Sequence, residues 1–435
     1  MSPMETGIAG VAGLLAAIFI LRLPVGFAMG MVGFLGFWKV LNLNAALGML
    51  GEETWKTLSS YGLTVIPLFI LMGQICFYSG VNERMYRAAN TWLGHIRGGL
   101  AMATILACAG FAAICGSNTA TAATMSTVSL PQMNKFNYNR VFSSGVVAAG
   151  STLGVMIPPS VVLIIIGLQT GQSIGILFWA ALLPGLLLVG CFLASVWILC
   201  ARNPELGGKT APSTTLWQKL ASLPGAIEML LLFVLVMAGL ILGIFTPSEA
   251  GAAGAGLALL LSLLGGRIGL RDLGRAVDDT LRISCMIMII ILGAVIFGRF
   301  LTITRMPHEI ASAVASWPVS PEVIMLGVFG IYLVGGAIMD ALALLLITIP
   351  IFFPVAESLG YSPVWFGVWI TLVTTMGAIT PPVGINTFIV ASMDEGVTLP
   401  QVFRGILPYL ICFLACAVLL LAWPQLALWL PGILT

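Results

Sequence analysis

The chain has 435 residues, of which 59% are hydrophobic and only 8% charged, and its formal net charge is +2. A soluble chain of this size carries about 25% charged residues, so the composition speaks for a membrane protein, and the absence of a basic stripe argues against nucleic-acid binding. The eight cysteines are scattered through apolar segments without a CxxC, and neither histidine stands beside a serine or cysteine in a triad-like pattern. Cys412 and Cys416 share a helix face by spacing, but two thiols alone make a poor metal site and read as small core residues.

The first residues, MSPMETGIAGVAGLLAAIFILRLPVG, lack a basic region ahead of their apolar stretch. The sequence therefore predicts a retained first helix and not a cleaved signal peptide. Apolar stretches of the roughly 20 residues that an approximately 30 Å hydrocarbon core requires recur along the chain. Ten full crossings are predicted, centred near residues 14, 33, 70, 155, 187, 235, 257, 292, 378 and 418. Two more apolar regions, 100–131 and 322–356, are too long for one crossing and have polar or glycine-rich centres, CGSNT at 115–119 and GGAIMD at 335–340. Two half-helices meeting at a turn inside the membrane, as re-entrant hairpins, fit them better. Such backbone is tolerated only where protein buries it or a water-filled cavity faces it. The charged stretches 83–97 and 271–282 predict interfacial helices, and 201–222, containing RNPELGGKTAPSTT, a linker between halves.

The expected fold class is an all-α polytopic membrane protein. Residues 1–60 supply N-terminal scaffold helices. Residues 61–200 form a first repeat, with a hairpin at 100–131 and a broken helix at 141–168. Residues 201–280 hold the linker and central scaffold helices. Residues 281–435 form a second repeat, with a hairpin at 322–356 and a broken helix at 364–392. Hairpins return to their starting side, so the ten crossings sort the cations into fourteen on one face, Lys135 and Arg140 among them, and four on the other, Lys39, Lys56, Arg299 and Arg305. This positive-inside bias makes the rich face cytoplasmic and puts both termini outside. Arg299 is expected to snorkel near the outer end of its helix, and Glu249 in TPSEAG to cap one.

The internal repeat appears at an offset of 223 residues. LGVMIPPSVVL at 153–163 lies over MGAITPPVGIN at 376–386, so that Gly154 meets Gly377, Pro158 meets Pro381 and Pro159 meets Pro382. At the same offset Pro131 meets Pro354, Tyr138 meets Tyr361, and Ser117 in the first hairpin meets Asp340 in the second. An odd number of passes separates the units, so their orientations are opposite. The first hairpin then enters from the cytoplasm and the second from outside.

Two consecutive prolines remove two amide donors and push the preceding residue out of the α region. Each Pro-Pro therefore breaks its helix, and carbonyls near 154–157 and 377–380 are expected to lose their helical partners. Such oxygens in a polar cavity suit a sodium ion, and broken helices in corresponding positions of inverted repeats point to a transporter's binding site. Ser117, Asn118 and Thr119 form a hydroxyl–amide cluster in an apolar hairpin, suited to capping its half-helices and to coordination. Apart from Glu322 at its first residue, Asp340 is the only carboxylate inside the second hairpin. An intramembrane carboxylate is a functional hypothesis by default, and this one also suits an N-cap for the half-helix after it.

GSNTATAATMSTVSLPQM followed by AAGSTLGVMIPPS resembles the first-half signature of the large membrane subunit of TRAP transporters, the tripartite ATP-independent periplasmic family. GGAIMDALALLLITIPIFFPVAESLGYSPVWFGV followed by ITPPVGIN resembles the second-half signature, and TPSEAGA and IPLFILMGQ are also typical. The resemblance implies an inner-membrane, sodium-driven uptake system for organic acids with no organic cofactor. A periplasmic binding protein delivers substrate, a separate small four-helix membrane subunit braces the large one, and an elevator motion carries the substrate across. One sodium site is implied among Ser117, Asn118 and the backbone from Gly154 to Pro158. A second is implied among Gly335, Gly336, Thr380, Pro381 and Gly384, with substrate between them near Ser160, Asp340 and Asn386.

Three other readings are weaker. A sodium–dicarboxylate symporter of the divalent-anion family shares this architecture but works without a binding protein, and the TPSEAG and PLFILMGQ motifs favour the tripartite family. An intramembrane enzyme needs a converging nucleophile and base or a metal cluster, and the sequence offers neither. An ion channel more readily assembles from identical subunits than duplicates a hairpin within one chain.

Overall fold

The computed structural model describes residues 3–210 and 214–434. Residues 1–2 of the expected N-terminal scaffold, 211–213 of the expected linker and 435 at the end of the expected second repeat lie outside the described residues. Every regular element among the described residues is a helix.

Nine helices among the described residues are long and apolar enough to cross a membrane. Seven of them coincide with predicted crossings: Tyr61–Tyr78, Arg140–Thr170, Ile174–Arg202, Pro224–Ile241, Pro247–Leu264, Leu270–Ile303 and Leu399–Ala422. The other two, Pro321–Ile338 and Ala341–Ser358, are the arms of the second hairpin, each of 18 residues. An arm of that length spans about 27 Å, close to the hydrocarbon thickness, so length alone does not separate it from a crossing. The predicted crossings near 14, 33 and 378 fall on or beside shorter apolar helices, Pro3–Phe19, Val25–Val40 and Pro363–Gly377.

Several elements depart from expectation. Leu43–Leu58 is a helix between the predicted crossings near 33 and 70 that the sequence did not announce, and Asn42 Oδ1 caps it by accepting from Ala45 N at 2.9 Å. Its Glu53 is buried and accepts from Arg299 at 2.7 Å, so Arg299 is held by an ion pair and does not snorkel alone. Residues 271–282 are not a separate interfacial helix. They are the first turns of one 34-residue helix, Leu270–Ile303, along which Arg275–Asp272 and Arg282–Asp278 pairs at helical spacing favour continuation. The linker holds a short helix, Leu216–Ser222, with a reciprocal Thr215–Gln218 capping box. Met306–Ala315 and Gln425–Leu434 are further helices that the sequence did not announce. Glu249 does cap its helix, in a box with Thr246.

The long helix packs on Val25–Val40 along a glycine seam. A methyl group built on Gly26 would lie 2.8 Å from the Ile289 carbonyl oxygen. In a bilayer, where lipid is as apolar as leucine, such close backbone approach is a main source of helix–helix attraction. The broken helix Arg140–Thr170 lies deepest, its most apolar stretch 94% buried against 28% for Pro224–Ile241.

Two units have the same order of elements. The first hairpin joins Gly99–Cys115 to Asn118–Lys135, and the broken helix Arg140–Ser151, Leu153–Met156 and Val161–Thr170 follows. The second hairpin joins Pro321–Ile338 to Ala341–Ser358, and Pro363–Gly377 and Ile385–Met393 follow. Backbone hydrogen bonds recur at the same 223-residue offset. Gly116 N donates to Ala112 O at 3.1 Å, and Met339 N to Gly335 O at 2.8 Å. Asn137 N donates to Asn134 O at 3.0 Å, and Gly360 N to Glu357 O at 2.9 Å. Tyr138 N donates to Met133 O at 3.1 Å, and Tyr361 N to Ala356 O at 3.0 Å. Asn137 and Gly360 both have left-handed backbone, with φ of 59° and 84°. The Pro158–Pro159 and Pro381–Pro382 bonds are both cis.

Candidate functional site

Each hairpin turns at a residue that caps its second arm. Ser117 Oγ accepts from Ala120 N at 3.4 Å and lies 3.2 Å from Thr119 Oγ1. Asp340 Oδ2 accepts from Leu342 N at 3.0 Å, so its capping role is realised. A serine or aspartate here satisfies an otherwise free amide, and the carboxylate also meets the positive end of the helix dipole.

The two tips and the two breaks share one cavity of about 380 Å³. Ser117, Asn118 and Thr119 line it from the first tip and Asp340 from the second, with Val155 and Val161 from the first break and Ala378 and Asn386 from the second. Gln74 of Tyr61–Tyr78 and Ile283, Met286 and Ile287 of the long helix complete the wall. Asp340 is the one charged residue among those lining it.

The first tip is seated against the first break. A methyl group built on Gly154 would stand 2.7 Å from Ser117 O, and one on Gly116 would stand 3.2 Å from Pro159 O. Thr121 Oγ1 donates to Ser117 O at 2.7 Å. Ser160 is fully buried, and its Oγ and the Oδ1 of Asn118 have no hydrogen-bond partner. The carbonyls of Gly154, Val155 and Met156 accept no hydrogen bond from the described residues; the amides missing at Pro158 and Pro159 account for the first two, and Ser160, extended at φ −122°, turns its amide away to start a new helix.

The second break corrects the expectation of free carbonyls near 377–380. Thr380 N donates to Gly377 O at 2.8 Å, Asn386 N to Ala378 O at 3.1 Å, and Thr387 Oγ1 to Ile379 O at 3.4 Å. The chain curls back at Gly384, whose φ of 54° suits glycine, and replaces the lost helical bonds with local ones. Gly384 N also donates to Ala337 O of the second hairpin at 3.1 Å.

Of the residues that the sequence proposed, Ser117, Asn118, Asp340 and Asn386 line the cavity, while Ser160 is buried beside Val161 without lining it. Gly154 and Pro158 lie behind the first tip. Gly335 and Gly336 sit inside Pro321–Ile338, where a methyl group on Gly336 would stand 2.7 Å from Thr374 O and 3.1 Å from Gly377 Cα. Thr380 and Pro381 belong to the second break, and the Thr380 hydroxyl donates to Met376 O at 2.8 Å. The sequence reading missed Gln74 and Ser151. Gln74 was detectable as an amide in an otherwise apolar IPLFILMGQICF. Ser151 was not, because its role is to accept from Asn386 Nδ2 at 3.0 Å across 235 residues.

Chemically, the site offers hydroxyl, amide and carbonyl oxygens with one carboxylate. Among the described residues no group of three or more His, Cys, Asp or Glu is placed to hold a metal ion. The arrangement suits a weakly held hard cation and a polar solute.

Residues 12–426 match the family model described as the tripartite ATP-independent periplasmic transporter, DctM component. The C4-dicarboxylate TRAP transporter large permease protein DctM of Pseudomonas aeruginosa is 36% identical, over 88% of this chain and 89% of its own length. The sialic acid TRAP transporter large permease protein SiaM of Vibrio cholerae is 29% identical, over 98% of each. Among solved structures, the YdaH transporter of Alcanivorax borkumensis superposes with a TM-score of 0.62 at 15% identity, covering 88% of this chain and 89% of that one, a likeness of fold.

Proposed function

Since this chain belongs to the DctM component family of the tripartite ATP-independent periplasmic transporters, and is thereby a multi-pass membrane permease subunit, we propose that it carries out sodium-coupled uptake of an organic acid. The observation that carries the reading is the shared cavity, lined by residues of both hairpin tips and both breaks, among them Asn118 and Asn386, whose Oδ1 atoms have no hydrogen-bond partner. In this reading one sodium ion binds among Ser117, Asn118 and the backbone from Gly154 to Pro158. A second binds among Gly335, Gly336, Thr380, Pro381 and Gly384. The acid sits between them, near Asp340, Asn386 and Ser160.

The two units form an inverted repeat and the hairpins are re-entrant. The recurring hydrogen bonds at the 223-residue offset support the duplication, and the distribution of cations supports the inversion. Both hairpins and both broken helices move together as an elevator against a scaffold that includes Pro3–Phe19, Val25–Val40, Pro224–Ile241 and Pro247–Leu264. The protein resides in the inner membrane with both termini periplasmic. It works with a small four-helix membrane subunit and a periplasmic binding protein that delivers the acid.

The test is uptake into liposomes under an inward sodium gradient, comparing the large chain alone, with the small subunit, and with both subunits and the binding protein. Robust uptake is expected only in the complete system. Robust sodium-driven uptake by the large chain alone would instead establish a stand-alone symporter.

A further inference from the structure

The two breaks share a Pro-Pro pair and differ in the state of the carbonyls beside it. At the first, Gly154 O, Val155 O and Met156 O face no donor. At the second, the corresponding oxygens are held by Thr380 N, Asn386 N and Thr387 Oγ1. An amide hydrogen on a carbonyl puts its positive end beside any cation that approaches and ties the backbone in place. The oxygen keeps a second lone pair, but it is a weaker and less mobile ligand until that bond lengthens.

Asn386 joins the two breaks. Its backbone N closes on Ala378 O at 3.1 Å, and its side chain donates to Ser151 Oγ at 3.0 Å, in the helix that leads into the first break. Its Oδ1 is buried without a partner. Resting on the sodium-coupled reading above, we propose that the two cation sites fill in order. The first break accepts sodium as it stands. The second gains Ala378 O as a further ligand beside Thr380 when Asn386 releases it, and the Asn386–Ser151 contact carries the state of the first break to the second. Asn386 and Ser151 are positioning residues in this scheme, and sodium affinity at the second break depends on occupancy of the first.

The experiment uses the purified complex of the chain with its small subunit, at constant ionic strength with potassium replacing sodium. Thermal unfolding midpoint and uptake rate, the latter with the binding protein present, are both read as functions of sodium concentration. The wild type is expected to respond cooperatively. Ser151→Ala removes the acceptor of the Asn386 side chain and is expected to lower the Hill coefficient toward about 1 and to raise the half-saturating sodium about tenfold, with the rate at saturating sodium retained. Thr387→Val removes a donor from the second break and is expected to lower the half-saturating sodium. It remains informative if Ser151→Ala fails to fold. A wild type indifferent to sodium would reject the sodium-coupled reading itself. A wild type that responds, with both variants matching its steepness and midpoint, would overturn the order of filling alone.

Discussion

After the first hairpin, Tyr138 N returns to Met133 O, and after the second, Tyr361 N returns to Ala356 O, across residues with the same left-handed backbone. Some twenty residues further on, the units diverge. In the first, Val161 follows the Pro-Pro pair and starts a helix at once. In the second, its counterpart is Gly384, and the chain curls so that Asn386 N reaches Ala378 O. A β-branched valine is stiff and disfavours left-handed backbone, whereas glycine adopts it freely. One residue type at one matched position therefore accompanies the difference between open and self-bonded carbonyls. Pro-Pro specifies a break, while the residues after it decide what the freed oxygens do.

Giving the second unit the residue of the first should have the largest effect. Gly384→Val places a branched side chain at a φ of 54° and within about 3 Å of Phe403, strain of about 1–3 kcal/mol. We expect a lower unfolding midpoint and near-complete loss of uptake. Wild-type uptake in this variant would break the link between Gly384 and the geometry of the second break.

Asn118→Ala removes a donor-free oxygen beside the first break. If that oxygen binds sodium, its loss costs about 1.5–3 kcal/mol, or about ten- to a hundredfold in half-saturating sodium. The unfolding midpoint without sodium should stay near wild type. An unchanged sodium dependence would remove Asn118 from the first site.

Asp340→Asn sharpens the contrast between the tips, since it keeps a capping oxygen and loses the charge. Stability should change by only a few tenths of a kcal/mol, because asparagine caps as well as aspartate, while uptake falls about tenfold, near 1.4 kcal/mol. Undiminished uptake would leave Asp340 as a cap alone.

The smallest effect is expected from Glu53→Gln, which removes the charge partner of the half-exposed Arg299. A loss of about 1 kcal/mol or less in stability, with unchanged half-saturating sodium, is expected. A shifted sodium dependence would extend the site to a helix well outside both units.

Much of the architecture was legible because its punctuation is local. The hairpin tips at Gly116–Ser117 and Met339–Asp340 fall where polar or acidic residues interrupt apolar runs, and both breaks fall at Pro-Pro. The helix Leu43–Leu58 was missed because its polar residues follow no crossing pattern, and part of its hold on the protein is an ion pair to Arg299, 246 residues away. Continuity of Leu270–Ile303 was missed because charge density was read as a boundary, although the charges pair along the helix. At the site, Ser117, Asn118, Asp340 and Asn386 were recognisable as polar groups in apolar surroundings. The bonded state of the second break was not. It depends on backbone curling at Gly384 and on Asn386 reaching back across the prolines, neither of which a residue pattern displays.

The proposed transport mechanism requires two copies of one unit set in opposite directions. Lys135 and Ser358 occupy corresponding exposed positions at the ends of the two hairpins. The direct measurement is labelling of Lys135→Cys and Ser358→Cys, each in a cysteine-free background, with a membrane-impermeant thiol reagent applied from one face at a time. The account predicts that position 135 reacts only from the cytoplasmic face and position 358 only from the periplasmic face. Labelling of both positions from the same face would contradict it.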